Sequence, residues 1–103
     1  MMTEQWHFII EEDKLKENSM NTFFPKGIPI LIVKNKGKIY AISNKCPHLG
    51  CPLSGGTLED HIIKCLCHDW KFDITTGEFL SSREIKIPIY QYKIQEGKLF
   101  IRI

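Results

Sequence analysis

The 103-residue sequence has no run of 18 apolar residues, which excludes a helix that spans a bilayer. It has no internal repeat, no low-complexity tract and no linker-like stretch, so one compact domain over residues 1–103 is expected. Arginine is scarce: 14 residues are Lys or Arg, Arg83 and Arg102 are the only arginines, and the net charge is +2. The lysines are scattered, and Lys34, Lys36 and Lys38 alternate along one candidate hairpin as a solvated face. Without a concentrated basic footprint, nucleic acid is not an expected partner. Met1 to His7 lacks the basic and apolar regions of a secretory leader, so a cytoplasmic setting is expected. Neither a nucleophile–base pair nor a glycine-rich phosphate loop is present, so no catalytic residue is assigned and an enzyme is not expected.

Also missing is any long segment with apolar residues at helical spacing, and the class read from the chain is therefore all-β, a sandwich or small barrel of short antiparallel strands. Strands are expected at Trp6 to Ile10, Gly27 to Val33, Lys38 to Ser43, Ile62 to Lys64, Lys71 to Ile74, Glu84 to Ile87, Tyr90 to Ile94 and Lys98 to Ile103. Asn35-Lys36-Gly37 and Gln95-Glu96-Gly97 have the composition of hairpin turns. The polar stretch Glu11 to Asn18 reads as a loop or a single helical turn.

What is concentrated in this chain is metal-binding chemistry. Cys46-Pro47-His48-Leu49-Gly50-Cys51 and Cys65-Leu66-Cys67-His68-Asp69-Trp70 together hold all four cysteines and two of the four histidines. A reducing compartment disfavours a disulfide scaffold and favours metal ligation. Cys46 and His48 lie two apart, Cys65 and His68 three apart, and sixteen residues separate the pairs. That length allows a hairpin to bring two loops side by side. Residue counting leaves two fillings open: one tetrahedral zinc held by all four side chains, or a [2Fe–2S] cluster with two cysteines on one iron and two histidines on the other. Each loop mixes one Cys with one His, an order that suits the cluster.

Over residues 5 to 103 the chain resembles the Rieske-type [2Fe–2S] proteins. The resemblance is carried by Cys-x-His and Cys-x-x-His, by Pro52-Leu53-Ser54-Gly55-Gly56 after the first box, and by Trp70 to Gly77 after the second. It implies one cluster per chain, bound within about residues 44–74, with Cys46 and Cys65 on the deeper iron and His48 and His68 on the outer one. It also implies a one-electron carrier that passes electrons from a reductase to an oxygenase or another oxidoreductase; a monomer is the default for such a carrier, and the sequence leaves the oligomeric state open. Two related roles within the family, a small subunit of nitrite reductase and an oxygenase subunit, stand as alternatives. The oxygenase subunit would need a mononuclear iron site for which no spare His pair is seen. A zinc-stabilised binding module is the reading outside redox chemistry.

Cys51 and Cys67 read either as small buried thiols or, by resemblance to high-potential members of cytochrome bc complexes, as a disulfide tying the two loops. Those members also carry a Ser and a Tyr that donate hydrogen bonds toward the cluster. Trp70 and Phe72 stand at the matching places and carry no hydroxyl, which predicts a potential in the lower or middle part of the class range of about −150 to +300 mV. Trp6, Trp70, Phe72 and Tyr92 are expected as core or shielding aromatics, and Leu49, Pro52 and Leu53 as an apolar rim. His7 and His61 read as surface or strand histidines. Glu59, Asp60, Asp69, Lys45 and Lys71 read as solvated loop charges.

Overall fold

A computed structural model describes residues 5–47 and 50–103. Their strands form three antiparallel sheets, with no α-helix among the described residues. The first sheet has the order β1 (Trp6–Glu11), β12 (Lys98–Arg102), β11 (Tyr92–Gln95). The second runs β10 (Ile89–Tyr90), β4 (Lys38–Ser43), β3 (Ile30–Asn35), β2 (Ser19–Phe23). The third is a meander of β5 (Thr57–Glu59), β6 (Ile62–Lys64), β7 (Lys71–Asp73), β8 (Glu78–Phe79) and β9 (Ser82–Lys86).

The second sheet is the middle layer, because side chains alternate across a strand with period two. Leu31, Val33 and Ile42 point to one side and pack with Leu53, Ile63 and Phe72 of the third sheet's side. Ile30, Ile32, Ile39 and Ala41 point to the other and pack with Leu99 and Ile101 of the first sheet. Buried on both faces, β3 reads as the unbroken apolar run Ile30-Leu31-Ile32-Val33, in which every residue is fully buried. Each such side chain contributes roughly 1.5–3 kcal/mol by leaving water.

The β3–β4 turn has positive φ at both Lys36 (52°) and Gly37 (77°), the two-residue connection whose twist matches its strands. The Glu17 carboxylate accepts the N–H groups of both residues, from Gly37 at 3.0 Å. Glu11 to Asn18 contains the single helical turn Glu12–Lys14. The strands β2, β5 and β8 lie outside those expected from sequence. β2, Ser-Met-Asn-Thr-Phe, is half-buried throughout and is strand because it pairs with β3 from Ser19↔Lys34 to Phe23↔Ile30.

Candidate metal centre

Both boxes fold as loops at one end of the third sheet, and their backbones close in the same way. In the first, the Cys46 N–H donates to the Cys51 carbonyl (2.8 Å) and the Gly50 N–H donates back to the Cys46 carbonyl (2.7 Å). In the second, the Cys65 N–H donates to the Trp70 carbonyl (2.7 Å) and the Asp69 N–H to the Cys65 carbonyl (3.0 Å). The fifth residue of each loop is left-handed, Gly50 at φ 74° and Asp69 at 58°. Asp tolerates that conformation better than most side chains because it is short and polar.

This duplicated closure sets the leading cysteines at equal depth. Cys46 and Cys65 are 3% and 0% exposed, embedded in the core cluster that contains Leu31, Ile42, Leu53, Ile63 and Phe72. His68, by contrast, is exposed at the tip of the second loop, beside Leu66 at 71% exposure. The fourth expected ligand, His48, and its neighbour Leu49 lie outside the described residues. Among the described residues no three His, Cys, Asp or Glu side chains gather into a metal site by themselves. Cys51 and Cys67 are joined in a disulfide that links one loop to the other, with a Cα–Cα distance of 6.5 Å. A buried pair of thiols beneath an exposed imidazole fits a centre with a sulfur side and a nitrogen side, and soft thiolate ligands suit iron–sulfur chemistry.

Aromatic rings support the second loop from below. Trp70 stacks on Phe79 with centroids 4.0 Å apart and planes 8° from parallel, and the fully buried Phe72 lies 5.5 Å from Phe79. Trp70 and Phe72 thus serve as expected. Trp6 and Tyr92 do not: they are 37% and 41% exposed on the first sheet. Trp6 pairs with Arg102 on the outward face of that sheet, with the Lys93 ammonium 4.8 Å above its ring, so its indole is covered by a cation and not by core. Leu53 is corrected too, since it is fully buried in the core while Pro52 alone of that pair is exposed.

Asp60 and His61 form the tip of the β5–β6 hairpin, at the opposite end of these strands from Cys65. Lys36 sits 2.6 Å from Asp60, and this hydrogen-bonded pair holds the Asp60 carboxyl below its ordinary pKa and the Lys36 ammonium above its own. His61 lies 3.3 Å from the same carboxylate. His7 lies on β1 opposite Ile101, with its Nε2 buried and without a partner among the described residues.

The family model of the Rieske [2Fe–2S] domain matches residues 5–91. The ferredoxin component of the naphthalene 1,2-dioxygenase/salicylate 5-hydroxylase systems of a Ralstonia species is 30% identical over 103 residues, covering 99% of each chain. Among solved structures, the ferredoxin of carbazole 1,9a-dioxygenase from Nocardioides aromaticivorans IC177 superposes with a TM-score of 0.84 at 24% identity, covering 93% of this chain and 95% of that one. A putative NADH-dependent nitrite reductase small subunit from Mycobacterium tuberculosis superposes with a TM-score of 0.87 at 17% identity, covering 99% and 97%. With buried cysteines and an exposed histidine already in place on paired loops, the chain belongs to the Rieske [2Fe–2S] family.

Proposed function

We propose that Cys46, His48, Cys65 and His68 hold one [2Fe–2S] cluster, and that the chain carries single electrons from a reductase to an oxygenase, as a ferredoxin component does. The observation that carries this is the split between depth and exposure. Cys46 and Cys65 are buried in the core, whereas His68 is exposed at the loop tip. When bound, such a cluster supplies a one-electron acceptor and donor. The apolar shell of Leu31, Ile42, Leu53, Ile63 and Phe72 keeps water from the cysteine side. The imidazole edge of His68, with exposed Leu66 and Pro52 nearby in the two loops, offers a partner a short route and an apolar contact. Contacts of this kind are small and transient. The Cys51–Cys67 disulfide ties the two ligand loops together, and in this reading it persists in the working protein. A monomer in the cytoplasm fits the similarity to bacterial ferredoxin components, and no helix among the described residues is long and apolar enough to cross a membrane.

The test is the reduced protein's electron paramagnetic resonance with its metal content. A low-average-g signal with two irons and no zinc per chain is expected, and it should be lost in Cys65→Ser and His68→Ala. A colourless protein carrying one zinc would overturn the reading.

A further inference from the structure

We propose that Asn44 is a positioning residue that staples the neck of the first loop and so fixes where Cys46 sits. The proposal rests on the assignment of Cys46 as a cluster ligand. Among the described residues the buried polar side chains are Asn35 and Asn44, each 6% exposed. A buried amide is unfavourable unless its hydrogen bonds are met, and Asn44 meets them with Ser54, across the loop, and with Thr22 on β2. Its Oδ1 accepts the backbone N–H of Ser54 at 2.8 Å. Its Nδ2 donates to Ser54 Oγ at 3.1 Å and to Thr22 Oγ1 at 3.4 Å. Its own backbone N–H donates to the Pro29 carbonyl at 3.0 Å.

Position gives these bonds their meaning. Asn44 lies two residues before Cys46, and Ser54 lies three residues after Cys51. One side chain therefore closes the loop at its base, outside the backbone bond that joins Cys46 to Cys51. Thr22 is on β2, so the same amide ties the closed loop to the edge of the middle sheet. Leu53, the neighbour of Ser54, is fully buried against the cysteines. A shift of Ser54 would therefore be felt by the cluster pocket.

Asn35 supplies the natural comparison. Its Nδ2 donates to the Asp60 carbonyl at 2.6 Å, joining the same two layers at the other end of the β3–β4 hairpin. Five residues of strand, about 17 Å, separate the two ends. Asn35→Ala thus removes a buried amide staple far from the loops.

The experiment compares holo-protein variants by reduced-state paramagnetic resonance, by potential and by the rate of iron release to a chelator. Asn44→Ala is expected to shift the g values and to release iron about tenfold faster, the lower end of what loss of a supporting partner costs a metal site. Asn44→Asp keeps the acceptor for the Ser54 N–H and lets both hydroxyls donate, so it should return the signal toward wild type. Asn35→Ala should leave the signal unchanged. A wild-type signal and release rate in Asn44→Ala, or an equal shift in Asn35→Ala, would overturn the proposal. Where Asn44→Ala does not fold, the double variant Thr22→Val/Ser54→Ala carries the test, with a smaller shift in the same direction expected and none refuting it. A wild-type chain that binds no [2Fe–2S] cluster would instead overturn the ligand assignment itself.

Discussion

Gly56→Ala adds one methyl group at the joint between the two ligand loops, and the structure says where it would go. Gly56 has φ −89° and ψ −161°, an extended conformation open to any residue, so backbone strain is not at issue. Space is. A Cβ there would stand 1.9 Å from the Lys64 carbonyl oxygen, 2.9 Å from its carbon and 3.3 Å from the Leu53 oxygen. All three are backbone atoms with no rotamer to escape into, and Lys64 is the residue before Cys65. The β6 strand must retreat by roughly 1 Å in an interior packed to crystal density. Overpacking of this kind costs about 1–3 kcal/mol, and loosening the end of the β5–β6 ladder at Thr57↔Lys64 loses about 1 kcal/mol more. A total of about 3 kcal/mol lowers the melting temperature by roughly 12–24 °C and shifts Cys65 away from Cys46. Gly37→Ala is the control: its φ of 77° strains an Ala by about 1–2 kcal/mol, but nothing lies within 4 Å of the new methyl. Thermal melts with the ratio of cluster to protein absorbance measure both. A Gly56→Ala protein that melts with wild type and carries a full cluster would refute the reasoning.

The Cys51–Cys67 bridge closes a sequence separation of 16, so Cys51→Ser/Cys67→Ser should destabilise the chain by about 3 kcal/mol in the chain-entropy account. Thiol titration of unreduced holo-protein under denaturant should find those two sulfurs unreactive, and reactive ones would remove the clasp. With no hydroxyl on Trp70 or Phe72, the potential should fall in the lower or middle part of about −150 to +300 mV; potentiometric titration near the top would contradict it. Burial pushes the Asp73 carboxyl up, but the Thr75 hydroxyl (2.5 Å) and N–H (2.8 Å) prevail, aided by His61 and Arg83, and hold it below its ordinary value. A depressed carboxyl stabilises the fold above the unfolded-state pKa and loses that contribution as pH falls through the folded value. Thr75→Ala, which removes the hydroxyl bond and keeps the backbone one, should therefore move acid unfolding to higher pH; an unchanged midpoint in a circular dichroism titration would count against the Thr75 hydroxyl bond.

The local features that declare themselves in sequence are those set by short-range chemistry. Asn35-Lys36-Gly37 turns where it must because Gly37 suits positive φ, and the run from Ile30 to Val33 is apolar because both its faces are covered. The paired Cys and His boxes declare metal binding through residue type and spacing, while the choice of a cluster over zinc rests on the resemblance carried by the flanking motifs. What escaped depends on long-range pairing. The strand β2 is polar and becomes a strand only against β3, and Leu53 leaves the loop rim because it packs into the core cluster that holds Cys46, Cys65 and Phe72. Trp6 and Tyr92 read as core or shielding aromatics, yet both are partly exposed on the first sheet, and the folded positions of Lys93 and Arg102 show what covers the Trp6 ring. Asn44 carries no signal in a single sequence, since its role lies in Ser54 and Thr22, ten and twenty-two residues away.

Because β3 and β4 serve two cores at once, the chain should unfold as a single cooperative unit. The terminal sheet joins the first and last strands, β1 and β12, and rests on Ile30, Ile32, Ile39 and Ala41. The layer that holds Cys46 and Cys65 rests on Leu31, Val33 and Ile42 of the same two strands. Neither layer can melt without exposing half of the middle sheet, so the β3 and β4 amides should exchange with solvent only through global opening. Fraying of the terminal sheet should therefore speed iron loss from the proposed centre in the opposite layer, which would make the lifetime of the cofactor a readout of the whole fold.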